Sequence, residues 1–402
     1  MSDLERLLAD AMPDLVAARH DLHAHPELAY QETYASQLVQ KHLTEWGIPF
    51  RNGLAETGVV AWLEPPGARV EAPAIGLRAD LDALPITEES DLPYISTNPG
   101  RMHACGHDGH TAILLGTARV LAQMRSLLPR PVKLIFQPAE EDGAGAQRMI
   151  DDGALSAKVG GRQVSAIFGL HGSPFLPHGW YATKSGPLLA GCTDFEITVH
   201  GTGGHAALPQ TTADPIVAAA QLVTAMQTLI SRNSDPLMPA VLSVCGIHGG
   251  DACNVIPDSV KLCGTLRAHH EDSFNILQQR LKEMIDYTVR ALGCRAEVKF
   301  TSPFPPVFNE TKATDFAMSV AGQVCGSAQI YEMDHAWMAS EDFAYYGKAI
   351  PSCFGFFGVI PPGRDSYPML HTPQFDFTDA AIETGVRLMC GFALNSEKLS
   401  MA

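Results

Sequence analysis

The sequence lacks any long apolar run. Its longest apolar stretch, IVAAAQLVTAM (216–226), contains a glutamine and falls short of a bilayer-spanning helix, so no membrane partner is expected. It also lacks a basic run. Lys plus Arg number 28 against 44 Asp plus Glu, a formal charge of −16, and no cation cluster interrupts that excess. A nucleic-acid partner or an anionic membrane surface is therefore excluded from the expected functions. The opening segment, MSDLERLLADAMPDL, carries acids throughout and has neither the basic nor the apolar part of a secretory signal. Cysteine is present but unpatterned: nine residues, an odd count, are scattered without the spacing of a small disulfide framework. A cytoplasmic protein is expected from these absences. No repeat with a period of about 20–50 residues is found, which sets aside solenoids and propellers.

What is present is an ordinary globular balance, with 46% hydrophobic and 18% charged residues. At 402 residues the chain exceeds one comfortable hydrophobic core, so two domains are expected. Helices are predicted over 14–24, stopped by Pro26, and over 31–46, ended by Gly47. Apolar runs at 58–63, 74–78, 132–136 and 166–170 read as buried strands, with an amphipathic helix at 111–121 among them. This alternation predicts an α/β domain with a mainly parallel sheet and helices on both faces. After Gly186 the rhythm changes. Strands near 194–200, 239–247, 256–266 and 296–301 surround helices at 214–232 and 271–292, the βαββαβ order of a ferredoxin-like domain. The proline-rich SPFPPVF (302–308) reads as a linker, and a last helix covers 379–394. The expected organisation is a discontinuous catalytic domain, 1–187 and 305–402, interrupted by an inserted domain at 188–304.

Four segments carry chemistry. In MHACGHDGH (102–110), His103, Cys105 and His107 alternate, and in an extended stretch they would project from one side. Asp108 then stands at an N-cap position for the helix that follows. Cysteine and histidine together suit Zn²⁺, Co²⁺ or Mn²⁺ better than Ca²⁺ or Mg²⁺, although a buried Cys beside capping residues has the same spelling. QPAEED (137–142) follows an apolar strand, so adjacent Glu140 and Glu141 point in opposite directions. One of them can bind metal while the other faces substrate as a general base. IFGLH places His171 at the end of another apolar strand, the edge where open α/β sheets bind ligands. LRADLDALP (77–85) puts Asp80 and Asp82 on one side of a strand end, where one of them can fix the tautomer of a ligating histidine.

The set RADLDALP, HACGHDGH, QPAEE, GLHGSP, GTGGHAALP and NVIP resembles the M20 peptidase family of aminoacylases and carboxypeptidases, and within it the hippurate hydrolase and auxin-conjugate amidohydrolase branch. The resemblance runs from HPEL (25–28) to LHTP (370–373). It implies that Cys105, His107, Glu141, His171 and His371 are the metal ligands, Glu140 the general base and Asp82 an acid behind the ligands. It implies further that the inserted domain is a lid that mediates homodimerisation, and that His205 of GTGGHAALP reaches the partner's active site. Thr202 stands where many relatives have lysine, a departure that touches the lid and not the metal ligands. His20, His23 and His25 read as helix-end residues, His103 and His110 as packing or hydrogen-bonding groups, and His269 and His270 as solvent-facing.

The expected reaction is hydrolysis of the amide bond of N-acyl amino acids (hippurate-like, N-acetyl or related), using two divalent ions, Zn, Mn or Co. Short peptides are the alternative substrates of the same chemistry. Asn254 of NVIP and Arg267 of GTLR are candidate donors to a substrate carboxylate, Arg267 having a strand-end surface charge as its plainer reading. Two other classes compete. A nucleophilic Cys105 paired with a histidine would leave Glu140, Glu141 and the distant histidines without a task. A catalytically silent metal-binding dimer would have no need of Glu140.

Overall fold

The computed structural model describes residues 3–69 and 72–399, the side chains of 302 and 303 excepted. The apolar runs are strands buried along their whole length, as in Ala74–Asp80, Val132–Gln137 and Ser352–Ile360. A strand without a polar face must be covered on both sides. These three lie inside an eight-stranded sheet. Its spatial order is Phe50–Leu54, Gly58–Leu63, Val132–Gln137, Ala74–Asp80, Val164–Pro177, Ser352–Ile360, Tyr181–Thr183, Ile330–Glu332. The central pairings are parallel, with Asp80 opposite Gln137 and Phe356 opposite His171. Antiparallel pairs occur toward the margins. Parallel register brings the C-terminal ends of neighbouring strands to one edge, and this is what gathers the chemistry.

The helices Asp3–Ala24, His107–Gln123 and Asp379–Leu394 pack on one another. Gly116 permits the approach, because a Cβ there would meet Leu15 at 2.6 Å and Val386 at 2.8 Å. The first helix differs from its sequence reading: it starts at Asp3, not near residue 14, and runs through Pro13. A proline inside a helix costs about 3 kcal/mol. The buried stripe Leu7, Leu8, Ala11, Leu15 continues across it, and tertiary burial outweighs the local penalty.

The chain divides into two compact units. The sheet unit comprises Met1–Leu188, Phe308–His335 and Asp342–Ala402, and the second comprises Leu189–Val307 and Ala336–Glu341. The second unit has a four-stranded antiparallel sheet, in the order Ala240–His248, Ser259–Ala268, Gly191–His200, Arg295–Phe304. Helices Pro215–Thr228 and Glu271–Arg290 share a core with it, built on Phe195, Ile197, Leu222, Leu262 and Leu281. The βαββαβ order is the one the sequence predicts. Three details correct the sequence reading. The helix at 215–228 passes into a short π-helix, Leu229–Asn233. The proline-rich segment is largely strand, Arg295–Phe304 followed by Val307–Asn309. His269 is buried, its Nε2 3.0 Å from the Trp337 carbonyl, and does not face solvent. No described helix is long and apolar enough to cross a membrane.

Candidate metal centre

Ala74–Asp80 carries the first acids to the sheet edge. Just beyond it, the Asp82 carboxylate accepts two backbone N–H groups, from Glu140 at 3.0 Å and Glu141 at 2.9 Å. It therefore clamps the turn after Val132–Gln137 and sets the two glutamates apart. The Asp82 carbonyl lies 2.9 Å from His107 Nδ1, so that nitrogen carries the proton and Nε2 keeps its lone pair.

Cys105 and His107 reach the same place through a tight turn. Gly106 has φ 84°, a left-handed conformation that glycine adopts without strain, and a Cβ there would lie 3.0 Å from Phe377. The helix begins directly at His107. Asp108 accordingly lies inside its first turn and is not the N-cap. Its carboxylate is spent on Arg19 Nε at 2.8 Å and His23 Nδ1 at 2.9 Å, both buried. His23 is thus part of a buried ion network that also includes Glu88, at 3.2 Å from its Nε2, and is more than a helix-end residue.

The five residues expected as ligands converge. Cys105 Sγ lies 3.4 Å from His171 Nε2 and 3.3 Å from His371 Nε2. Glu141 Oε1 is 3.3 Å from His371 Nε2 and 3.9 Å from His107 Nε2. His171 donates its Nδ1–H to the Gly172 carbonyl at 2.8 Å, which leaves the Nε2 lone pair aimed at the sulfur. His371 sits at φ 62°, held there by its N–H on the Ala104 carbonyl at 2.8 Å. Donor atoms close enough to share one ion form two groups with a common sulfur, Cys105/His107/His171 and Cys105/Glu141/His371. His103 belongs to none of the close donor groups among the described residues; the turn at Gly106 breaks the extended stretch that would have aligned it with Cys105 and His107.

The donor set fits a cation. His107 Nε2 and Glu141 Oε1 are buried and make no aligned hydrogen bond. Buried polar atoms without partners are rare, and here lone pairs face lone pairs, an arrangement that positive charge relieves. Burial, then the charges of Glu141, Glu140 and Asp80, push the Cys105 thiol well above its ordinary value. A nucleophilic cysteine needs an electropositive setting, so this acidic surround speaks against that role. Burial pulls the His107 imidazolium down, but Asp80, Asp82 and Glu141 outweigh it and raise it to about 10, so this acidic surround favours positive charge at Nε2, which a bound cation supplies in place of a proton.

Glu140, buried, lies close to His107 and Glu141, with Oε1 accepting the Asp342 N–H at 3.3 Å. Asp342 is itself fixed by the Ala146 N–H at 2.8 Å, Gln137 Nε2 at 2.8 Å and Arg78 at 3.0 Å. Arg78 also reaches Asp80 at 2.6 Å and Gln137 Oε1 at 2.8 Å. Sequence reasoning missed this support. Arg78 had a signal, a cation inside a fully buried strand whose only other charge is Asp80, whereas Asp342 stands some 200 residues away without one.

In the second unit, His205 pairs with Val255 on a short ribbon, next to Asn254. His205 Nδ1 accepts the Ala207 N–H at 3.0 Å, which assigns the proton of the neutral ring to the exposed Nε2. Asn254 is exposed. Arg267 Nη1 is engaged within its own unit, by the Met338 carbonyl at 3.0 Å and the Ser340 hydroxyl at 3.4 Å.

A Cys/His/Glu cluster at the carboxyl edge of a largely parallel sheet, exposed only at His371, with a second glutamate beside it, defines the class of metal-dependent hydrolases. Residues 76–395 match the sequence profile of Peptidase family M20/M25/M40, and the chain belongs to this family. It is 40% identical over 383 residues to the Arabidopsis thaliana protein IAA-amino acid hydrolase ILR1-like 5, covering 94% of this chain and 86% of that one. It is 41% identical over 369 residues to N-acetyl-L-cysteine deacetylase of Bacillus subtilis, covering 92% and 84%. A solved structure, a dinuclear metal-binding peptidase of the M20 family from Bacillus subtilis, superimposes with a TM-score of 0.80 at 33% identity, over 96% of this chain and 98% of that one.

Proposed function

We propose that this protein hydrolyses the amide bond of N-acyl amino acids, releasing a carboxylic acid and a free amino acid, with two divalent ions held by Cys105, His107, Glu141, His171 and His371. The observation that carries the reading is the pair of donor groups sharing the Cys105 sulfur, with Glu140 directly alongside. When bound, Zn²⁺, Mn²⁺ or Co²⁺ would supply Lewis acidity and make water acidic enough to attack near neutral pH. Cys105 and Glu141 bring the negative charge that such ions need, and the three histidines bring neutral donors.

Glu140 takes a proton from the attacking water and passes it to the departing amine, so that water is divided between the two products. Asp82 and Asp342 hold that carboxylate in place through the Glu140 and Asp342 backbone N–H groups. His205 offers its Nε2–H to the oxygen that becomes negative as the carbonyl is attacked. Its exposed position on a short ribbon of the second unit fits a working homodimer in which each subunit lends this histidine to the other. Asn254, on the same ribbon, suits a substrate carboxylate. Arg267, its Nη1 held by the Met338 carbonyl, would meet such a carboxylate through its other N–H groups.

Both relatives are named for removing a group from an amino acid, which favours acylated amino acids over peptides as substrates. Nine free thiols suit a reducing compartment, and we place the protein in the cytoplasm. The test is a screen of metal-reconstituted protein against N-acetyl, N-benzoyl and indole-acetyl amino acids alongside dipeptides. N-acyl amino acids should be cleaved faster; preference for dipeptides would make the protein a peptidase, and no turnover with any metal would remove the enzyme reading.

A further inference from the structure

His110 stands one helical turn after His107, yet its environment differs from that of a ligand. Its Nδ1 lies 2.7 Å from Asp80 Oδ1 and its Nε2 2.9 Å from the Gly172 nitrogen. A backbone N–H can only donate, so Nε2 supplies the lone pair and Nδ1–H is given to Asp80. Asp80 in turn is anchored by Arg78. Although Asp80, His107 and His110 lie close enough together to surround an ion, the His110 lone pair is already used.

The group it holds is the N–H of Gly172, the residue after His171. The Gly172 N–H points at His110, and the Gly172 carbonyl receives the His171 Nδ1–H. The two imidazoles are 4.6 Å apart between ring centroids, and His110 is wedged edge-on against Phe377. Residue 172 has no room for a side chain: a Cβ would meet Val359 at 2.8 Å and Phe377 at 3.0 Å. Gly172 is thus gripped at its N–H by one side-chain acceptor and at its Cα by packing, and its carbonyl, across that Cα in the next peptide unit, decides which His171 nitrogen faces Cys105.

We infer that His110 is a positioning residue which, oriented by Asp80, fixes the Gly172 backbone and through its carbonyl the tautomer and direction of His171. The inference rests on the proposed role of His171 as a metal ligand. Groups that orient a ligating histidine are typically worth about 10–100-fold in metal affinity.

The test uses full-length protein stripped of metal and titrated with Co²⁺, reading both dissociation constants and the visible spectrum of the bound ion. Unaltered protein should bind two ions; if it does not, the proposed function fails and not this inference alone. His110→Phe, similar in shape but without an acceptor, should bind one of the two ions about 10–100-fold more weakly, with an altered spectrum for that ion. His110→Gln, whose amide oxygen can accept the Gly172 N–H, should stay close to the unaltered protein. If folded His110→Phe binds both ions with unaltered affinity and spectrum, the inference is wrong. Should His110→Phe fail to fold, the comparison of His110→Gln with the shorter His110→Asn decides: weaker binding by Asn alone supports the inference, and equal binding overturns it.

Discussion

The Asp82 carboxylate holds Glu140 by its backbone and not by its side chain: the Glu140 N–H donates to Asp82 Oδ1 at 3.0 Å, while the Glu141 N–H donates to the other oxygen at 2.9 Å. One carboxylate thereby fixes a residue proposed as the base and one proposed as a ligand. In Asp82→Asn the amide NH₂ must face one of those N–H groups. Turnover should fall by about tenfold or more, and metal should bind more weakly, as measured by steady-state kinetics and elemental analysis.

Glu140→Gln and Glu141→Gln should separate. Loss of a positioned base costs about 10²–10⁴-fold in rate, so Glu140→Gln should keep its metal and lose turnover by that order. Glu141→Gln removes a donor of the Cys105/Glu141/His371 group and should lower metal occupancy. The reverse pattern would exchange the two roles.

Chelation should abolish activity, and Mn²⁺, Co²⁺ or Zn²⁺ should restore it. Metal should also raise the unfolding midpoint, since an ion at 100 times its Kd adds about 2.7 kcal/mol per site. Activity that survives exhaustive chelation would return attention to Cys105 as a nucleophile.

The buried His23 makes stability depend on pH. Burial alone lowers its imidazolium, but the hydrogen bond and charge of Asp108, together with Glu88, hold it up at about 9 against an ordinary 6.5. The folded state retains the proton longer than the unfolded chain. Its contribution is therefore complete below about pH 6.5 and fades as pH rises through about 9, with a ceiling of roughly 3 kcal/mol. Denaturant titrations should show stability falling across that window, and His23→Gln should flatten the fall.

His205→Ala should lose most turnover while binding metal normally. Mixed with Glu140→Gln under conditions that allow subunit exchange, it should regain activity, because one site of the mixed dimer then has both groups. Verified exchange without recovery would remove His205 from the partner's chemistry.

The sequence alone determined the layered α/β sheet and the βαββαβ domain, because both are written in local periodicity and element order. It also pointed to Cys105, His107, the Glu140–Glu141 pair and His171, since each lies in a short motif at a predicted strand or helix end, while the choice of Glu141 as ligand came from the family resemblance. Tertiary structure decided what depends on distant partners. Pro13 sits inside a helix because the Leu7–Leu15 stripe is buried against other helices. Asp108 leaves its capping position because Arg19 and His23, on the first helix, claim its carboxylate. Asp342 supports Glu140, and His110 grips Gly172, through hydrogen bonds that close only after parallel strands have aligned their ends. A side chain's type records which bonds it can make; which of them it does make depends on the groups that folding brings within about 3 Å of it.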